Sequence, residues 1–210
     1  MIKLIIFDFD GTLADTKNVI LGAMERSFSE FNYHMDLEHV RTGAEPLDAL
    51  LRKFGVEEKV LPTISKWLST SFLEKVEDLE PVDGLKALKK LKVEKIVVSN
   101  SIHAFIADGL KKFDALFFDG VYGAEDFKNK DEMFARLMKE RKITPSELVY
   151  VGDRPVDTQL AKRVGCVSII LANQHSWASK EEILSSSPDF IVESLSDIPG
   201  LIDKLNKKKN

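Results

Sequence analysis

The sequence predicts an α/β fold: a Rossmann-like open, mostly parallel sheet flanked by helices, with a helical cap domain inserted after the first strand. Three observations predict it. Short apolar runs rich in β-branched and aromatic residues recur without clean alternation, the pattern of strands covered on both faces. Amphipathic stretches separate the later runs, giving a βαβα succession. Between the first and second runs lie about eighty residues of helical periodicity, where an ordinary βα unit takes about thirty.

Taken in order, "KLIIFDF" (3–9) is the first strand. The cap follows over 16–80. "NVILGAMERSFSEF" sets Val19, Ala23, Phe28 and Phe31 near one stripe, and "PLDALLRKFG" and "VLPTISKWLSTSFLEKV" carry two further helical patterns. Trp67 and the phenylalanines of this stretch read as its own core. "EPVDGLKALKKL" returns to the α/β core through a turn at Pro81–Gly84 and a helix. Further strands are expected at "EKIVVSN" (94–100), "ALFFDG" (115–120), "LVYVGD" (148–153), "CVSIIL" (166–171) and "DFIVES" (189–194). "SIHAFIADGLKKF", "KDEMFARLMKERKI" and "VDTQLAKRVG" supply crossover helices, and "DKLNKKKN" reads as a charged, frayed tail. The α/β core is thus 1–15 and 81–210, and the cap 16–80.

Composition narrows the function. A chain of 210 residues with net charge −4 lacks the basic excess and clusters that a nucleic-acid binder needs. Small anionic partners remain compatible with it. The opening apolar run is too short for a bilayer span and is interrupted by Asp8 and Asp10. One cysteine, Cys166, permits no intramolecular disulfide and fits a reducing compartment. The expectation is a cytoplasmic protein, monomeric or a small homo-oligomer, with a small-molecule partner and neither nucleic acid nor membrane.

The chemistry concentrates at strand ends. Asp8 and Asp10 emerge where open α/β sheets bind ligands, at the carboxyl end of the first strand. Carboxylates this close repel, so a site that keeps both neutralises them with a cation or lets one hold a proton. In "VYVGDRPVD", Asp153 repeats the strand-tip placement and Asp157 falls in the first turn of the next helix, where a carboxylate is also favourable by itself. An all-oxygen cluster of this kind suits Mg2+, and no histidine joins it to suggest zinc. Ser99, Asn100 and Ser101 end the second strand as hydroxyl and amide donors, with Ser101 also placed to cap a helix. Lys128 and Lys130 precede another helix.

In order, "DFDGTLADT", "SNS", Lys128 and "GDRPVD" make the chain resemble the haloacid dehalogenase-like (HAD) hydrolases, in the helical-cap branch that holds phosphoglycolate phosphatases. The resemblance runs over nearly the whole chain. It implies a Mg2+-dependent phosphoric monoester hydrolase acting on a small phosphorylated metabolite (phosphoglycolate, a sugar phosphate or a nucleotide-like monoester). Asp8 would be the nucleophile that forms an aspartyl-phosphate, and Asp10 the acid and then base. Ser99, Asn100 and Ser101 would hold the phosphate, with Lys128 as the neutralising cation; Phe134 fits the spacing to Lys128, while Asn129 replaces the usual proline and keeps Lys130 as the substitute. Asp8, Asp10 through its main-chain carbonyl, Asp153 and Asp157 would serve the metal. Arg41 stands where related caps lower a substrate-contacting loop, with a surface ion pair as its other reading.

Departures from related branches narrow the reaction. Asp10 argues against dehalogenation, Ile20 stands where sugar-phosphate mutases carry a histidine, and no cap lysine is placed for a Schiff base. The alternatives are a phosphotransferase or sugar-phosphate mutase of the same superfamily, and a noncatalytic binding or regulatory protein on the same scaffold.

Overall fold

The computed structural model describes residues 1–43 and 45–208. Six parallel strands form the main sheet: β1 (Leu4–Phe7), β4 (Glu94–Val98), β5 (Gly120–Tyr122), β6 (Leu148–Gly152), β7 (Val167–Leu171) and β8 (Phe190–Val192), in the order β5-β4-β1-β6-β7-β8. The chain starts at β1, adds β4 and β5 on one side, then crosses to β6, β7 and β8 on the other. The crevice of such a sheet lies at this reversal, beyond the carboxyl ends of β1, β4 and β6.

Period-two alternation divides the strand residues between two buried faces. Ile5, Phe7, Val97, Val149 and Val151 point into one apolar cluster, and Leu4, Ile6, Ile96, Val98 and Tyr150 into another. Helices α5 (His103–Lys112), α6 (Lys130–Arg141), α7 (Pro155–Val164), α8 (Lys180–Ser185) and α9 (Ile198–Lys208) complete this part of the chain. Of the tail expected to fray, residues 203–208 are instead part of a helix over 198–208, with Asn206 Oδ1 accepting a 2.6 Å hydrogen bond from the Ile2 amide, and 209–210 lie outside the described residues. The strand expected at 115–120 is also displaced, to Gly120–Tyr122. Phe117 and Phe118 stack at 5.0 Å instead of entering the ladder, and the run that pairs with Ile96–Val98 begins only at Gly120.

Between β1 and β4 the chain forms α1 (Lys17–Glu30), α2 (Leu37–Thr42), α3 (Leu47–Lys53) and α4 (Leu61–Glu74). Ala23, Met24, Phe28, Leu51, Ile64 and Leu68 are buried among these helices, and Phe28 meets Phe54 edge to face at 5.4 Å. Two short strands, β2 (Ala14–Asp15) and β3 (Glu80–Pro81), pair antiparallel where the helical segment leaves and returns. Their two-residue length gives no periodicity to detect in sequence. The helix expected after Gly84 is a short 3-10 turn at Leu85–Lys90.

Candidate active site

Asp8 follows directly from β1. Its main chain stays in the ladder, donating to Val151 O at 2.9 Å, so its carboxyl is fixed at the strand tip and is only 1% exposed. Then the chain turns. Gly11 takes φ +71, and a Cβ there would run into the Asp153 carboxylate and the Trp177 indole. The turn follows directly after Asp10, whose carboxyl still feels the charge of Asp8.

Asp8 faces cations and carboxylates. Lys130 Nζ lies 2.8 Å from Asp8 Oδ2, and Arg154 Nη2 lies 3.9 Å from the same oxygen. Asp8, Asp153 and Asp157 are all buried, with ligand oxygens within 4.8 Å of one another. Asp153 accepts from Thr12 Oγ1 at 3.2 Å and from the Trp177 amide at 2.6 Å. Burial pushes its pKa up to about 8, with the Arg154 charge opposing. A buried carboxyl raised this far is suited to a neighbouring cation, and the oxygen-only donor set fits a hard divalent ion.

Asp157 is differently occupied. Its Oδ1 accepts from the Tyr150 hydroxyl at 2.8 Å, and its Oδ2 accepts from the Asp153 and Arg154 amides at 3.1 and 3.0 Å. It therefore caps α7 and fixes the loop that carries Asp153. Gly152 is required beside it, since a Cβ would overlap the Asp157 carboxyl.

Asp10 faces hydroxyls. Its Oδ2 accepts from Ser99 Oγ at 3.0 Å and Ser101 Oγ at 2.7 Å. Burial raises its pKa, the Asp8 charge adds to the rise, and the two serine hydrogen bonds oppose it. Asn100 and Ser101 line a cavity between this strand-end loop and the helices above.

The structure brings Asp8, Asp10, Ser99, Ser101, Asp153 and Asp157 together and departs from the sequence at two residues. Lys128 is exposed, whereas Lys130 is 10% exposed, pairs with Asp8 and donates to Tyr150 Oη at 2.9 Å. The reason lies in α6: Asn129 is its N-cap, so Lys130 is the first helical residue and rises beside Phe134, one turn on. Arg41 also departs. Its guanidinium grips Glu182 of α8 at 2.7 and 2.9 Å, Glu38 at 2.7 and 3.0 Å, and Trp177 O at 3.2 Å, and makes no bond to Asp8 or Asp10.

Three participants carried no sequence signal of their own. Tyr150, an ordinary strand residue by pattern, bridges Lys130 and Asp157. Thr12 and Trp177 hold Asp153. Arg154 was visible only as the residue after "GD", yet its side chain is 13% exposed, donates to Gly43 O at 2.7 Å and is kept charged by the surrounding carboxylates.

This arrangement defines a class. The chain belongs to the haloacid dehalogenase-like hydrolases, whose family model matches residues 5–171. It is an enzyme of that family, and phosphatases stand among its relatives. It is 28% identical over 219 residues to the phosphoglycolate phosphatase of Vibrio vulnificus strain YJ016, covering 94% of each chain. It is 29% identical to that of Pseudomonas savastanoi pv. phaseolicola, covering 96% of this chain and 80% of the relative. A haloacid dehalogenase-like hydrolase from Streptococcus pneumoniae shares the fold at TM-score 0.76 and 19% identity, over 96% of this chain and 98% of that one. Among the described residues no helix is long and apolar enough to cross a membrane.

Proposed function

We propose that this haloacid dehalogenase-like phosphatase uses Mg2+ to hydrolyse a small phosphorylated metabolite in the cytoplasm through an aspartyl-phosphate on Asp8. The observation that carries the proposal is the partition of the two strand-tip carboxylates: Asp8 lies against Lys130 and the acidic cluster, and Asp10 against two serines. Asp8 Oδ attacks phosphorus while Lys130 offsets charge on the transferring group. Asp10, whose buried position favours the protonated form, gives its proton to the departing alkoxide. It then takes a proton from the water that opens the acyl phosphate. Ser99, Asn100 and Ser101 line the phosphoryl position.

Mg2+ would be held by Asp8, Asp153 and the main-chain carbonyl of Asp10, with Asp157 positioning the Asp153 loop. When bound it supplies positive charge to the phosphoryl oxygens. Residues 16–80 act as the cap that keeps bulk water from the acyl phosphate. The test is phosphate release from a panel of phosphorylated metabolites with and without Mg2+, repeated with Asp8→Asn. Turnover that persists in Asp8→Asn, or none in the wild type with Mg2+, overturns the proposal.

A further inference from the structure

Above Asp10 and Arg154 lies a cavity of about 100 Å3 whose two walls differ in chemistry. The strand-end wall is polar: Asp10, Asn100, Ser101 and Arg154. Two buried donors of lining residues, Arg154 Nε and Trp177 Nε1, and one buried acceptor, Asp10 Oδ1, have no hydrogen-bond partner among the described residues, a set that suits a phosphoryl group beside a proton-carrying carboxyl on this side. The opposite wall is built from all four helices of the 16–80 segment. Ile20 and Met24 come from α1, Val40 from α2, Leu47 and Leu50 from α3, and Phe72 from α4. Among the described residues, the one charged side chain this segment adds is Glu45, which pairs with Lys53 and lies 3.6 Å from His39.

We infer that the preferred substrate is a phosphomonoester whose organic part is compact, uncharged and apolar, and that carboxylated phosphoesters such as phosphoglycolate are poor substrates. The inference rests on the phosphatase reading and adds the substrate class. A carboxylate in this chamber would lose its hydration against six apolar side chains with Glu45 nearby, and no lysine or arginine of the helical segment lines it in compensation. An alkyl group loses nothing comparable and gains burial. Size agrees in direction: the cavity of about 100 Å3 has to hold part of the phosphoryl group as well, so only a compact organic group fits beside it.

Isobutyl phosphate and phosphoglycolate provide the test, because two methyl groups replace two carboxylate oxygens on the same skeleton. Binding to the Asp8→Asn variant with Mg2+, measured by calorimetry, removes differences in leaving-group reactivity. Isobutyl phosphate is expected to bind at least about 10-fold more tightly. Ile20→Lys and Leu47→Lys, both at partly exposed positions, are expected to move that ratio at least about 10-fold toward phosphoglycolate, with folding checked by circular dichroism. If neither variant folds, the ratio for the unmodified chamber decides alone. Equal or tighter binding of phosphoglycolate, with phosphate still released by the wild type, overturns the substrate class and leaves the phosphatase standing. Absence of phosphate release from either ester and from p-nitrophenyl phosphate overturns both.

Discussion

The strand ends and the helical segment above them face the same cavity and are built on opposite principles. At the strand ends nearly every polar side chain is committed: Asp8 to Lys130, Asp10 to Ser99 and Ser101, Asp157 to Tyr150 and two amides. Such a network fixes atoms to within the tolerance that proton and phosphoryl transfer require. The helices present apolar surfaces that constrain size and polarity more than orientation. Under the proposed function, reaction would fall to one wall and selection to the other, and a substitution on one should leave the other's task largely intact.

That separation can be broken in several places. The largest loss is expected for Asp8→Asn, which removes the proposed nucleophile: phosphate release should fall about 10^5-fold or more with circular dichroism unchanged. Asp10→Asn should follow at about 10^2 to 10^4-fold. Lys130→Ala leaves Asp8 buried without its 2.8 Å cation and should cost about 10^2 to 10^3-fold in kcat/KM, whereas Lys128→Ala should stay within about twofold. Equal losses at the two lysines would refute the placement of Lys130.

The contacts between the two regions should matter less. Arg41→Ala loosens the tether to Glu182 and should lower stability by about 1 kcal/mol or less, because both groups are near one-third exposed. Hydrogen exchange should speed in Leu37–Thr42. Arg41 holds the Glu182 carboxyl down to about 2, so the stabilisation is full above the ordinary carboxylate range and is lost only as pH falls through about 2. Exchange in this helix, corrected for intrinsic rates, should therefore match at pH 5 and pH 7. The smallest effect concerns Cys166, remote from both walls. Burial pushes its thiol up to about 12, so a disulfide reagent at pH 8 should label the native protein slowly and the denatured protein to one equivalent.

Sequence reading located the strand-tip residues well, because an apolar run ending in Asp8 or Asp153 marks both the strand and the place where its chain emerges. It failed where a helix start decided the outcome. The six-residue spacing from Lys128 to Phe134 is a linear measure, while the side chain beside Phe134 on α6 is four residues away, at Lys130. By sequence Arg41 reads as part of a substrate-contacting loop, whereas it lies in α2 and its partner Glu182 lies on α8, and no local pattern encodes a pairing that distant. Phe117 and Phe118 read as strand by composition, yet they pack against the core outside the ladder.

The small ribbon of Ala14–Asp15 with Glu80–Pro81 brings the departure and return of the helical segment to one place. A segment whose two ends meet can lengthen, shorten or be exchanged at a loop-closure cost that grows only logarithmically with length. The junction thus behaves as a splice point. If the helical segment acts as the proposed cap, exchanging it at Ala14–Asp15 and Glu80–Pro81 should leave the main sheet and the surroundings of Asp8 intact.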